Sequence, residues 1–240
     1  MARLSGITVV VTGADRAIGQ AIVRRVVAEG AKVIAAVAPD AAAAGGQGAV
    51  GPARTVELDV TNRSSWDSLL ASVSINEGSL HGLVNAAATI KHGPLQEMTG
   101  PDLAQTLSVN LLGPTLGIAA AAPALASAGG GSVVNVATTA GQRGTPNAAA
   151  LSAASWGLRG LTRSAALEFG IRGIRVNTVG ARPELFDEAV GSSGAAVLAD
   201  TGAERHVTIG DIAAMVVFLL SDDSATCTGG DYVVDGGATA

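Results

Sequence analysis

The sequence predicts an α/β domain, a doubly wound sheet of about seven parallel strands with helices on both faces. Three observations carry this reading. Short β-branched runs alternate with longer amphipathic stretches along the whole chain, the order that builds right-handed βαβ crossovers. The first run is apolar throughout, as strands buried on both faces are. A glycine-bearing turn joins that run to the first amphipathic stretch. With 240 residues and 48% hydrophobic content the chain can bury a sizeable core, which excludes a disordered protein. No linker or repeat divides it, so residues 1–240 read as a single domain.

Each element follows in order. Residues 7–12, Ile7-Thr8-Val9-Val10-Val11-Thr12, are the first strand. A turn at 13–19 leads into a helix over 18–29, with Ile22, Val26 and Val27 on one face and Gly30 at its end. Residues 32–37 complete the first βαβ unit. Residues 41–52 are a low-complexity loop. A strand at 55–58, a helix at 64–74 and a strand at 80–85 come next. A long helix is expected over 102–127, distorted at Gly113-Pro114. The chain then alternates between a strand at 132–137, a helix at 148–169, a strand at 174–179, a helix at 209–220 and a last strand at 232–234. Residues 184–205, rich in Gly, Ala and Ser, read as a mobile loop beside the site.

Composition excludes several function classes. The net charge is −5 and no basic block exists, so no nucleic-acid partner is expected. Cys227 is the only cysteine, which rules out a disulfide within the chain and fits a cytoplasmic protein. The N-terminus lacks an apolar signal core. The nearest apolar run, 118–128, is short and contains Pro123, so no membrane span is expected. His81, His206 and Cys227 show no metal-ligand spacing. Lys91-His92 follows the fourth strand near the expected site entrance, and Glu184 and Asp187 lie on the loop beyond the sixth. All four read as ordinary loop residues before any catalytic role. Lysine occurs only at 32 and 91, against thirteen arginines, a bias that matters for any lysine-dependent chemistry.

The turn Thr12-Gly13-Ala14-Asp15-Arg16-Ala17-Ile18-Gly19 lies between a strand and a helix, where glycines let backbone approach a pyrophosphate at the helix N-terminus. Two glycines also suit a turn that only packs helix on strand. Further landmarks follow in order: Asp59-Val60, Leu83-Val84-Asn85-Ala86-Ala87-Ala88, Asn110 in Val109-Asn110-Leu111, Gly173-Ile174-Arg175-Val176-Asn177 and Val234-Asp235-Gly236-Gly237. Together they resemble the short-chain dehydrogenase/reductase family in its short form. The resemblance covers residues 12–237. It implies a Rossmann-type fold and a dinucleotide held by Gly13, Arg16, Ile18, Gly19, Asp59, Val60 and Asn85. It also implies hydride transfer between a nicotinamide and a carbonyl or alcohol, with Asn110 and a strand-end serine supporting a Tyr-x-x-x-Lys pair.

The residues depart from that pattern where the chemistry lies. Aligned on Gly141 and on Leu158-Arg159-Gly160-Leu161, the serine position falls on Thr138, the tyrosine on Leu151 and the lysine on Ser155. Leucine cannot transfer a proton and serine carries no charge. The only tyrosine, Tyr232, lies in the last strand. Asn110 and Thr138 are the catalytic remnants, though Asn110 equally suits a backbone-bonding role in a distorted helix. The pocket is altered too, with Ala17 and Ala88 in place of glycines and Arg182 where Pro-Gly is usual. No acid stands at Val37-Ala38 to bind a ribose diol, and Arg16 stands where NADP-preferring relatives often carry a basic residue. NADP is therefore expected over NAD, with weak or lost binding, and no metal. Three readings remain: a catalytically impaired binding or assembly subunit; a carbonyl reductase with an atypical proton donor; a non-redox enzyme, such as an isomerase or dehydratase, reusing the pocket through Thr138 or His92. The family resemblance and the alanine-rich helix over 110–127, with Gly117, imply a homo-oligomer, dimer or tetramer, or a hetero-oligomer with an active relative.

Overall fold

The computed structural model describes residues 2–40, 51–186 and 206–240. Strands β1 (Thr8–Thr12), β2 (Lys32–Val37), β3 (Arg54–Glu57), β4 (Gly82–Asn85), β5 (Gly131–Thr138), β6 (Ile174–Ala181) and β7 (Asp231–Val234) form one sheet. Their order is β3-β2-β1-β4-β5-β6-β7, and every neighbouring pair is parallel. Between them run helices α1 (Ala17–Ala28), α2 (Arg63–Glu77), α3 (Gly100–Leu107), α4 (Gly113–Ser127), α5 (Ala149–Phe169) and α6 (Ile209–Leu220). The doubly wound parallel sheet read from the sequence is present. β6 runs past the expected residue 179 because Thr138 of β5 and Val234 of β7 both pair with Ala181.

All five residues of β1 are buried, which is why its sequence does not alternate. Val9 and Val11 face one core, closed by Ile22 and Val26 of α1 and Ile212 and Val216 of α6. Val10 faces the other, closed by Trp66 of α2, Ile118 of α4 and Ala165 of α5. Side-chain caps at some helix starts satisfy orphan backbone donors. Asn62 accepts from Ser64 N, and Thr208 and Asp211 form a reciprocal capping box.

Helices α3 and α4 join through a π-helical turn at Ser108–Leu112. The expected distortion is therefore present, but it precedes Gly113-Pro114. Pro114 sits in the first turn of α4, directly after the π-helical turn, so its missing N–H falls where the regular helical bonding pattern is already interrupted. The joined helix, Gly100–Ser127, has 28 residues and is long and apolar enough, by length and composition alone, to cross a membrane, a test that the core helix of a fold also passes. Half of its most apolar 18-residue stretch is buried inside the fold. The small residues of α4 serve the same end. A Cβ on Gly117 would lie 2.7 Å from Cζ2 of the fully buried Trp66. The expectation that Gly117 supplies a flat face to another subunit is thus corrected, since this glycine makes room for the chain's own core.

Candidate active-site cleft

Strand order reverses between β1 and β4, so the loops leaving their carboxyl ends diverge and open a crevice. The turn from β1 forms one lip. Gly13 has φ +68, and a Cβ there would lie 2.6 Å from Ala87 Cα on the opposite lip. A Cβ on Gly19 would overlap the Gly13 carbonyl oxygen. Both glycines are thus required by the packing of the turn itself, whatever binds there. Thr12 Oγ1 ties the lips together by accepting from the backbone N–H groups of Ala86 and Ala87, each at 3.1 Å.

Three adjoining cavities occupy the crevice. One of about 200 Å³ lies between the β1 turn and the tip of β2, lined by Gly13, Asp15, Arg16, Asp40, Asp59 and Val60. A larger one, about 680 Å³, is lined by Arg16, Ala17, Ile18, Thr89, His92 and Phe186 among others. The third, only about 10 Å³, is enclosed by Asn110, Thr138, Leu151, Ser155, Leu158 and Phe186, with alanines, Val136 and Pro114. The first two share Arg16, Ala88 and Thr89, and the last two share Ala88 and Phe186, so they form one path.

Along this path the side chains have definite partners. Asp59 Oδ1 accepts from Thr61 N at 2.9 Å and from Thr61 Oγ1 at 2.6 Å, a local turn that leaves the carboxylate at the cavity wall. The Val60 carbonyl accepts from Trp66 Nε1. Asp15 pairs with Arg16 at 3.5 Å and accepts from Ala38 N at 3.4 Å, so a carboxylate reaches the tip of β2 from the β1 turn. Asn85 lines none of the three cavities. Its amide donates to Asn135 Oδ1, Asn135 donates to Thr162 Oγ1, and Thr162 meets Thr178, a buried polar chain linking β4, β5, α5 and β6. Asn110 spends both ends of its side chain on the backbone of Thr89, at 2.8 Å each, and so fixes the loop after β4.

The chamber at the end of the path is set by α5 and β5. Leu151 and Ser155 are one turn apart on α5 and face the end of β5, where Thr138 Oγ1 lies 3.0 Å from Ser155 Oγ. Leu151 is 1% exposed and packs with Ala140, Ala148 and Ile90. No titratable side chain lines this chamber among the described residues. Behind it stands Arg159, 3% exposed. Its guanidinium donates to the Ser155 carbonyl at 3.0 Å, to the Thr138 carbonyl at 3.1 Å and to Asp231 Oδ2 at 2.7 Å. Gln142 donates to the same Asp231 oxygen. Sequence reasoning used Arg159 only as an alignment anchor. The available signal was its position, one helical turn beyond Ser155 on the buried face of α5.

A family profile described as enoyl-(acyl carrier protein) reductase matches residues 13–239. A 3-alpha-(or 20-beta)-hydroxysteroid dehydrogenase of Mycobacterium tuberculosis is 35% identical over 247 aligned residues, covering 99% of this chain and 91% of the relative. A D-threitol dehydrogenase of Mycolicibacterium smegmatis is 34% identical, over 99% and 94% of the two chains. The crystal structure of levodione reductase superposes with a TM-score of 0.86 at 28% identity, over 99% of each chain. The chain belongs to the short-chain dehydrogenase/reductase family.

Members of this family use NAD(P), and the crevice of this family member bears on how such a group fits. The small cavity and the first turn of α1 could take an adenosine and a phosphate, because no side chain caps the helix at Arg16. Ala17 lines the large cavity, so its methyl stands where backbone would otherwise approach the ligand. The narrow end of the path, about 10 Å³, opens on the large cavity beside Ala88 and Phe186, so a carbonyl would reach Thr138 and Ser155 only from that side. The remaining candidates lie elsewhere. Lys91 pairs with Asp102 at 3.1 Å, and that carboxyl is held below the ordinary range by the Thr99 hydroxyl first and by Lys91 next. Arg182 folds onto Glu184 at 3.3 Å and lines none of the three cavities. Asp187 and most of the expected mobile loop lie outside the described residues. Among those described, no group of three His, Cys, Asp or Glu could hold a metal.

Proposed function

We propose that this chain is a catalytically impaired short-chain dehydrogenase/reductase homologue that acts as a binding or assembly subunit. The observation that carries this is the chamber of about 10 Å³, walled by Leu151, Ser155 and Thr138, at the positions that the alignment gives to the family's tyrosine, lysine and serine. Hydride delivery to a carbonyl builds charge on oxygen, which needs a proton donor or an oxyanion hole. Thr138 and Ser155 already bond each other. A water needs roughly 10–15 Å³ for itself, so a carbonyl reaching in from the large cavity would leave little room for a relay water beside Thr138 and Ser155. That argues against the reductase with an atypical donor. His92 lines the large cavity and Thr138 the narrow end of the path, and no hydrogen bond joins them, which leaves the non-redox reading without an assembled pair.

The residues around Arg16 favour a different cofactor preference from the one its charge alone suggests. Arg16 pointed to NADP, but it pairs with Asp15, and Asp40 and Asp59 line the same cavity. Three carboxylates oppose a 2′-phosphate, so weak binding with NAD ahead of NADP is the proposal. For assembly, a Cβ on Gly157 of α5 would lie 2.8 Å from Leu111, and the next residues along, Leu112 and Trp156, are 44% and 55% exposed. Exposed Ala153, Gly160 and Leu167 extend that stripe. This surface is proposed as a two-fold contact with a second copy or with an active relative.

The test is carbonyl reduction by the wild type and by Leu151→Tyr/Ser155→Lys, with NADH and NADPH binding measured in parallel. The expectation is no turnover for the wild type and weak dinucleotide binding. Wild-type turnover of a ketone at about one per second, an ordinary enzymatic rate, would overturn the reading.

A further inference from the structure

The amino edge of the sheet, opposite the crevice, carries a second cavity of about 550 Å³. It opens where β1, β4, β5 and β6 begin, between His81, Gly129–Gly131, Gly170, Arg175, Asp222 and Thr228. Doubly wound folds bind their ligands at the other edge, so the family's chemistry does not account for it.

Arg175 is the unusual member of this wall. It is partly buried on β6 and donates to Ser224 Oγ at 2.9 Å and to the Ser221 carbonyl at 3.2 Å. A guanidinium has five N–H donors, and two of Arg175's have partners among the described residues. Among the described residues no carboxylate lies within 4 Å of it. Burial lowers its pKa, as expected for a cation withdrawn from water, and Cys227, Asp222 and Tyr232 offset this only in part. On the far side of Gly131, His81 Nδ1 accepts from Thr8 N at 3.1 Å, which places the neutral ring's proton on Nε2 as a further donor. The glycines keep the intervening wall free of side chains. A Cβ on Gly129 or on Gly170 would meet nothing within 4 Å.

We propose that this cavity is a binding site for a small molecule bearing a phosphate or carboxylate group, with Arg175 as its anchor and His81 as a second donor. The shared chemistry is a planar or tetrahedral oxyanion, which a guanidinium fork recognises. The volume exceeds what the oxyanion alone needs and lies in the range of ordinary ligand sites, so the group belongs to a larger polar molecule. This site is independent of the crevice and of its proposed inactivity.

The experiment is calorimetric titration of the full chain with inorganic phosphate and with citrate, in a buffer free of other oxyanions. Binding of at least one probe below about 10 mM is expected. Arg175→Gln removes two braces as well as the anchor, so its fold must be verified by circular dichroism. Gly170→Leu leaves Arg175 and its braces in place, and its helical backbone tolerates a side chain. Gly170→Leu should weaken binding about tenfold or more by obstructing the wall, and Asp222→Asn should tighten it by removing the one nearby competing carboxylate. Phosphate binding without citrate binding assigns the site to phosphate-bearing molecules, citrate alone to carboxylates, and binding of both to an oxyanion site open to either class. Absence of binding by both probes, or binding that neither Gly170→Leu nor Asp222→Asn changes, overturns the proposal.

Discussion

Replacing Arg159 by methionine should destabilise this protein more than almost any other single change. The guanidinium is 3% exposed and makes three recorded hydrogen bonds, one of them an ion pair at 2.7 Å to Asp231. Methionine fills the space of the stem but leaves the Asp231 carboxylate with only Gln142, while its other oxygen already has no partner. Removing one member of a buried pair costs about 3–5 kcal/mol, because the remaining charge stays desolvated. In a domain of this size that is a fall in Tm of roughly 6–20 °C, at about 2–4 °C per kcal/mol. The assay is urea unfolding with Asp231→Asn and the double variant completing a cycle. The double variant should be less destabilised than the sum of the singles by about 1 kcal/mol or more, since it removes the orphaned charge. A cost below about 1 kcal/mol for Arg159→Met, or strict additivity, would refute the view that this pair clamps Thr138 and Ser155.

Other outcomes follow from the same structure. Gly19→Ala should destabilise the protein without any dinucleotide present, because the new methyl overlaps the Gly13 carbonyl oxygen; denaturation of the ligand-free protein reads this directly. Trp156→Glu should shift the species seen by light scattering to a smaller mass, with little change in unfolding midpoint, as expected for an exposed residue on a contact face. Glu29 is held at a pKa of about 2 by the Arg3 side chain and then by the Arg3 backbone N–H. A depressed carboxylate stabilises above its unfolded pKa of about 4.3 and loses that contribution as pH falls toward 2. Acid unfolding should therefore be less steep in Glu29→Gln between those values.

The sequence alone determined the alternation of strand and helix, because burial on both faces of a parallel sheet writes continuous β-branched runs such as Val9-Val10-Val11. It also located Leu151, Ser155 and Thr138 relative to one another, since a helix repeat and a strand end are local features. What it could not decide was direction and occupancy. Asn85 and Asn135 pair face to face in β4 and β5, and only that pairing turns Asn85 away from the crevice. Gly117 looked free for a neighbour until the fold placed Trp66 against it. Asp15 brought an acid to the tip of β2 from a different strand's turn, so inspection of Val37 and Ala38 missed it. The buried Arg159 needed Asp231, seventy-two residues away, before its charge made physical sense. Such long-range partners are fixed by the packing of the whole sheet, and desolvated polar groups depend on them most.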